Sequence, residues 1–156
     1  MDHVDRIVEQ WRLERPDLDS TPMAVIGRLS RASAAVDARL AATFAIHGID
    51  GSTFDVLATL ARQGAPYRIT PAELAADSMI STSAVAQRLN RLDKLGLLTR
   101  EPHPEDGRGK FVRITKAGAE LVDKVLPDHL ATEERILAPL STGERSMLAQ
   151  LLSKLA

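Results

Sequence analysis

The sequence predicts a mostly helical fold that carries one small β-hairpin. Apolar residues recur at helical spacing through most of the chain, as at Val25, Ile26 and Leu29. Only two longer segments, 97–101 and 110–114, have the composition of strands, and a Gly- and Pro-rich loop separates them. The chain has 156 residues, which is about the size of one domain, so we expect a single unit.

The first three predicted helices are bounded by prolines and glycines. Helix one carries the apolar stripe of residues 4–11 and ends before Pro16. Helix two has Pro22 in its first turn and ends at Gly48. Helix three follows a turn and ends at Gly64. Beyond Gly64, the segment Tyr67-Arg68-Ile69 is long enough only for a stub of strand.

Two short helices follow, and their spacing predicts a helix-turn-helix. The first begins at Thr70 with Glu73 three residues later, which is a capping-box pattern, and covers residues 71–77. The second opens at Ser81 and stops at Gly96. The hairpin comes directly after it, so residues 52–115 together predict a winged helix-turn-helix.

Two apolar helices complete the chain, one after Thr115 and one after Ser141. Paired in one chain, these helices could cover each other only in part. We therefore expect residues 1–48 and 116–156 to form N- and C-terminal dimerisation helices that flank the winged module. The alternative is that they bind another protein, which would make the chain a winged-helix protein-interaction module.

Composition excludes several other classes of protein. There is no cysteine, so a disulfide scaffold, a zinc knuckle and a thiol nucleophile are excluded. Aromatic residues make up 3%, too few for a platform that stacks single-stranded bases. No apolar run reaches about 18 residues and no secretory signal opens the chain, so we expect a cytoplasmic protein.

Catalytic motifs are also lacking. The four histidines lie in separate elements without metal-ligand spacing, and neither a nucleophile elbow nor a phosphate-binding glycine loop occurs. We expect no enzymatic activity, no cofactor and no metal site.

The charge distribution favours a nucleic-acid partner. Residues 62–116 hold ten basic against six acidic side chains, whereas the rest of the chain holds ten against fifteen. A basic segment within a nearly neutral chain is typical of a DNA-binding module, although a solvated face has the same composition.

The second helix of the helix-turn-helix has an apolar side and a polar side. Val85, Leu89 and Leu92 form the inward stripe, and short polar and basic residues point the other way. In the loop between the strands, the carboxylate of Asp106 is close enough in sequence to support the guanidinium of Arg108. We expect Arg108 to enter a minor groove of DNA; the alternative is an exposed loop without contacts. The residues expected to contact DNA are Thr82, Ser83, Gln87, Asn90, Arg91, Lys94, Arg108 and Lys110.

Arg88 differs from the other cations of this helix because it lies about 60° from Val85, on the inward flank. A buried charge without a partner is costly, so Arg88 needs an acceptor. It is either part of a structural ion pair or an anion-binding arginine attached to the DNA-reading helix.

With these motifs the chain resembles the MarR family of dimeric winged-helix transcription regulators. The likeness covers the helix-turn-helix over 74–97, the Asp106-x-Arg108 wing, and the junction from Val112 to Gly118. Glycines on both sides of Arg108 depart from the family pattern. The resemblance implies a repressor that a small anionic ligand releases from a palindromic operator.

A narrower resemblance is to the urate-responsive subfamily with an extra N-terminal helix. It lies in Trp11 with the following Arg15–Asp19, and in Phe54–Leu57. The subfamily's ligand-linked residues fall on Trp11, Asp55, Arg88 and Arg100. This implies that a purine anion binds near Trp11 and Arg88 and disturbs an Asp55–Arg100 ion pair. Aromatic carboxylates or phenolics are the alternative effectors.

Overall fold

A computed structural model describes residues 1–102 and 110–155. Over these ranges the chain forms seven helices and a small antiparallel sheet, which confirms the predicted fold class. The elements are α1 (His3–Glu14), α2 (Pro22–Ile46), α3 (Gly51–Arg62), β1 (Arg68–Ile69), α4 (Pro71–Asp77), α5 (Thr82–Lys94), β2 (Leu98–Pro102), β3 (Lys110–Ile114), α6 (Lys116–Leu137) and α7 (Thr142–Leu152). No helix in the described ranges has both the length and the apolar character needed to cross a membrane.

The chain divides into two compact units, and the first is Met1–Arg39. In it, Asp2 caps α1 by a capping box, and Arg28 of α2 lies 2.8 Å from Asp2 and 2.6 Å from Asp5. Val4 is the buried residue of α1. An ion-pair cluster and the burial of Val4 therefore hold α1 against the first turns of α2.

The second unit, Leu40–Ala156, contains the main core. The core forms where the apolar sides of α3, α4 and α5 meet the sheet and the start of α6. Its fully buried side chains include Leu57, Leu60, Leu74, Leu92 and Leu98. The inward stripe predicted for α5 is part of this core, so the opposite side of α5 is left to solvent.

The sheet has three strands in the order β1-β3-β2, all antiparallel. The predicted hairpin is present, with Leu98 opposite Ile114 and Pro102 opposite Lys110. The segment expected to be a stub of strand pairs with β3, where Arg68 lies opposite Arg113. A strand of two residues is too short to show the alternation of apolar and polar side chains that identifies a strand in a sequence. β1 forms because the free edge of β3 offers it hydrogen-bond partners.

The junction between the sheet and α6 leaves no space for a side chain at Gly118. A Cβ built there would lie 2.1 Å from the carbonyl oxygen of Leu97. Thr115 caps α6 by accepting from the Gly118 N–H, and its hydroxyl donates to the carbonyl of Gly96. The motif that ends in Gly118 therefore ties the start of α6 to the end of the helix-turn-helix.

A second cluster joins the end of α2 to α3 and α6. The rings of Phe44, Phe54 and His129 pack together with centroids 4.9–5.4 Å apart. Nearby, the buried hydroxyls of Thr43 and Thr132 lie 2.8 Å apart. This cluster fixes α6 against α3 and the end of α2.

Candidate nucleic-acid interface

The interface is built on the solvent side of α5. Ser81 caps the helix, and Gly96 ends it at a φ of +69°, a left-handed conformation that glycine adopts without strain. Within these ends, Val85, Leu89 and Leu92 are buried. The exposed residues include six of the eight expected DNA contacts: Thr82, Ser83, Gln87, Asn90, Arg91 and Lys94. Hydroxyls, amides and cations on one helix face suit base edges and phosphates.

Helix α3 holds the turn that positions α5. Asp55 Oδ2 accepts from the backbone N–H of Met79 at 2.8 Å. Two further side chains near the end of α3 reach Asp77 at the end of α4: Arg62 donates to its carbonyl oxygen, and Gln63 Nε2 donates to its carboxylate at 3.1 Å. The polar residues of α3 therefore fix where α4 ends and where the turn begins.

Arg88 has the partner that its inward placement requires. Its Nη1 donates to Asp50 Oδ2 at 2.8 Å, and its side chain is 21% exposed. Asp50 is also the N-cap of α3, because its Oδ1 accepts from the N–H of Thr53 at 2.8 Å. A single carboxylate thus caps α3 and holds the recognition helix.

The environment of Asp50 favours its charged form. Partial burial raises the pKa of this carboxyl, but the hydrogen bonds from Thr53 and the charges of Arg88 and Arg91 outweigh burial, so the pKa lies below its ordinary value. Asp50 was not among the residues singled out in the sequence. Its position just before Gly51-Ser52-Thr53 could have marked it as a helix cap.

The structure does not bring Asp55 and Arg100 together in the ion pair that the resemblance implies. Asp55 binds the backbone at Met79, as described above. Arg100 reaches α5, where its guanidinium donates to Asn90 Oδ1 and its Nε lies 3.5 Å from Asp93 Oδ2. Each group is therefore engaged within the helix-turn-helix and its adjoining strand: Asp55 accepts from a backbone N–H, and Arg100 donates to acceptors on α5.

The remaining predicted residues lie in three places. Lys110 is exposed at the start of β3, whereas Asp106 and Arg108 lie outside the described residues. Trp11 belongs to the first unit, where it is 46% exposed on α1. No group of His, Asp or Glu side chains suited to a metal ion occurs within residues 1–102 and 110–155.

A helix-turn-helix with a polar, basic outer helix face, followed by an antiparallel wing, defines a DNA-binding transcription regulator. The model of the MarR family matches residues 47–109. The HTH-type transcriptional regulator PecS of Dickeya dadantii (strain 3937) is 42% identical to the chain over 97% of its length and 91% of that protein. The chain belongs to the MarR family.

Solved structures of other transcription regulators share this fold. The MarR-family regulator Sco3205 from Streptomyces coelicolor, solved in complex with DNA, matches 88% of this chain and 90% of that chain with a TM-score of 0.81 at 23% identity. Bordetella bronchiseptica BpsR, whose DNA binding 6-hydroxynicotinic acid regulates, matches 84% of this chain and 91% of that chain with a TM-score of 0.77 at 25% identity. The chain is a DNA-binding transcriptional regulator of this family and not an enzyme.

Proposed function

We propose that the protein is a dimeric repressor that binds a palindromic operator through α5 and the wing and leaves it when a small aromatic anion binds. The observation that carries the proposal is the exposed polar and basic face of α5 opposite its buried stripe. In this assignment Gln87 and Asn90 contact base edges, while Arg91 and Lys94 contact phosphates. Thr82 and Ser83 at the start of α5 lie where a recognition helix meets the groove.

The wing contributes the second contact in this proposal. Lys110 approaches phosphate, and Arg108 enters the adjacent minor groove, where a narrow width concentrates negative potential. Both roles are carried over from the sequence motif. We also keep the cytoplasmic location as a prediction, because operator DNA is the proposed ligand.

A homodimer is supported by the apolar surface of α6 and α7. These helices leave several large side chains between 39% and 56% exposed, namely Leu126, Leu130, Met147, Leu148, Leu151 and Leu152. Large apolar side chains left exposed on two helices are commonly covered by a partner subunit. A twofold dimer would place its recognition helices about 34–36 Å apart, on successive turns of a pseudo-palindrome.

The proposed effector site is centred on Arg88. This arginine is attached to the recognition helix, its Nη1 is held by Asp50, and its buried Nε has no hydrogen-bond partner among residues 1–102 and 110–155. An anion that bound Arg88 would compete with Asp50 and release the link between α3 and α5. We expect a coupling of about 1–3 kcal/mol between effector and operator.

The resemblance to the urate-responsive subfamily favours a purine anion as the effector, and it implies Trp11 as a further ligand-linked residue. The similarity to BpsR favours a heteroaromatic acid instead. Asp55 and Arg100 already hold the helix-turn-helix, so we assign the effector to Arg88 and not to these two residues.

The DNA part of the proposal is tested by titrating palindromic DNA from the region upstream of the gene at about 50 and about 200 mM salt. Affinity should fall steeply between the two, and analytical ultracentrifugation should show a dimer. An operator affinity that does not depend on salt concentration, or a monomer bound to the operator, would contradict the proposal.

The effector part is tested by a thermal-shift panel of urate, xanthine, salicylate and 6-hydroxynicotinate on the wild type and on Arg88→Met. A bound effector should raise the melting temperature of the wild type and release the operator. Lys124→Met, a change to an exposed lysine of α6, is the matched control and should respond as the wild type does. Equal shifts in the wild type and in Arg88→Met would exclude this site.

A further inference from the structure

We propose that Arg100 sets the base preference of Asn90 by holding its side-chain amide in one orientation. The inference rests on the proposed function, in which the outer face of α5 contacts bases. It gives β2 an indirect part in DNA recognition, because Arg100 of this strand acts through a residue of the recognition helix.

The guanidinium of Arg100 is anchored at two points on α5. One Nη donates to Asn90 Oδ1, and Nε lies 3.5 Å from Asp93 Oδ2. The two partners are three residues apart and therefore neighbours on the helix surface. The side chain of Arg100 is 33% exposed, so it is packed along α5 while its edge still reaches solvent.

This contact decides which way the amide points. A guanidinium can only donate, so the carbonyl oxygen of Asn90 must face Arg100 and the NH₂ group must point away. A free asparagine offers one acceptor and one donor, which is the pattern that pairs with the N6 and N7 of adenine. With its oxygen turned towards Arg100, Asn90 presents its donor.

The pair as a whole therefore presents donors. The NH₂ of Asn90 and the remaining N–H groups of Arg100 match a base edge that carries acceptors, and guanine offers two, O6 and N7, in the major groove. We infer that the base pair facing Asn90 in each half-site is G·C, and that removal of Arg100 lets Asn90 turn and accept from adenine.

The experiment selects operators from a randomised duplex pool with the full-length protein and then measures affinities for duplexes substituted at each position. The variants are Arg100→Met, Asn90→Ala and the double variant. Wild type should prefer G·C at one position of the half-site. In Arg100→Met the preference at that position should move towards A·T by about tenfold, within the discrimination that one bidentate contact supplies. In the Asn90→Ala background this shift should vanish.

Two further variants serve as a control and as an independent test. Arg113→Met removes another strand arginine, whose ion pair is with Glu101 in the adjacent strand, and should leave every base preference unchanged. Asn90→Asp replaces the donor by an acceptor on the exposed face of α5, so it should lose the G·C preference even if Arg100→Met folds poorly.

The inference is overturned if Arg100→Met keeps the wild-type preference at every position, if its shift persists without Asn90, or if Asn90→Asp still prefers G·C. A failure of the proposed function would look different, because the wild type itself would then select no operator and show no salt-dependent binding.

Discussion

Asp50 and Arg88 join the start of α3 to the recognition helix through one carboxylate–guanidinium contact of 2.8 Å. The other oxygen of Asp50 caps α3 at the N–H of Thr53. Any event that draws Arg88 away from Asp50 therefore acts on both helices. This shared carboxylate is the physical basis for the proposed link between effector and DNA.

Replacement of Asp50 should separate its two roles. Asp50→Ala removes the helix cap and leaves the partly buried Arg88 without its acceptor, and we expect it to cost about 1–3 kcal/mol of unfolding free energy. Asp50→Asn keeps an acceptor for Thr53 and loses only the charge, so it should cost less. Urea unfolding of the wild type, Asp50→Ala and Asp50→Asn measures this order. Equal unfolding free energies for all three proteins would contradict the proposed roles of Asp50.

The lowered pKa of Asp50 predicts a dependence of stability on acid pH. Because the folded-state pKa lies below the unfolded-state value, this stabilisation is complete above the unfolded-state pKa and is lost as the pH falls through the folded-state pKa. As the pH is lowered from about 5, the unfolding free energy of the wild type should fall by more than that of Asp50→Asn. Parallel pH profiles from denaturant unfolding would contradict this cause.

Asp55 should matter for the turn and not for the effector. Asp55→Ala removes the acceptor of the Met79 N–H, and we expect a loss of about 1–2 kcal/mol in stability together with weaker operator binding. Asp55→Asn keeps a carbonyl oxygen in place and should retain both properties. If Asp55→Asn binds DNA normally but no longer responds to the effector, our reassignment of Asp55 is wrong.

Gly118 and Gly143 offer a matched pair of glycine-to-alanine changes within helices. At Gly118 a Cβ would meet the Leu97 carbonyl at 2.1 Å, so the backbone must move, and we expect a loss of about 2–3 kcal/mol. At Gly143 a Cβ would come within 4 Å of no other part of the described residues beyond its own helix turn, so alanine should be neutral or stabilise the protein by about 0.5–1 kcal/mol. Thermal unfolding that ranked the two variants in the opposite order would contradict the close approach.

Lys94 and Lys124 separate a phosphate contact from general charge. Both are exposed lysines on helices, but only Lys94 lies on the outer face of α5. Lys94→Ala should lower the slope of log affinity against log salt by about one and weaken all operators alike, whereas Lys124→Ala should change neither. An equal effect of the two changes would indicate a contribution from net charge alone.

Local patterns along the chain were sufficient for the elements and for the faces of the helices. Pro16, Gly48 and Gly96 marked helix ends correctly, and the spacing of Val85, Leu89 and Leu92 identified the buried side of α5. These features depend on neighbours within one or two turns, and such neighbours are visible in the order of residues.

The choice of partners depended on how the elements pack. The inward position of Arg88 showed that it needed an acid, but Asp50 lies 38 residues away and reaches it only because α3 packs beside α5. Arg100 and Asp55 were assigned to each other, yet each has an acceptor or donor on an adjacent element. Ion pairs form only between groups a few ångströms apart, so proximity in the folded structure selects among the candidate partners. Separation along the sequence is a poor guide to that proximity.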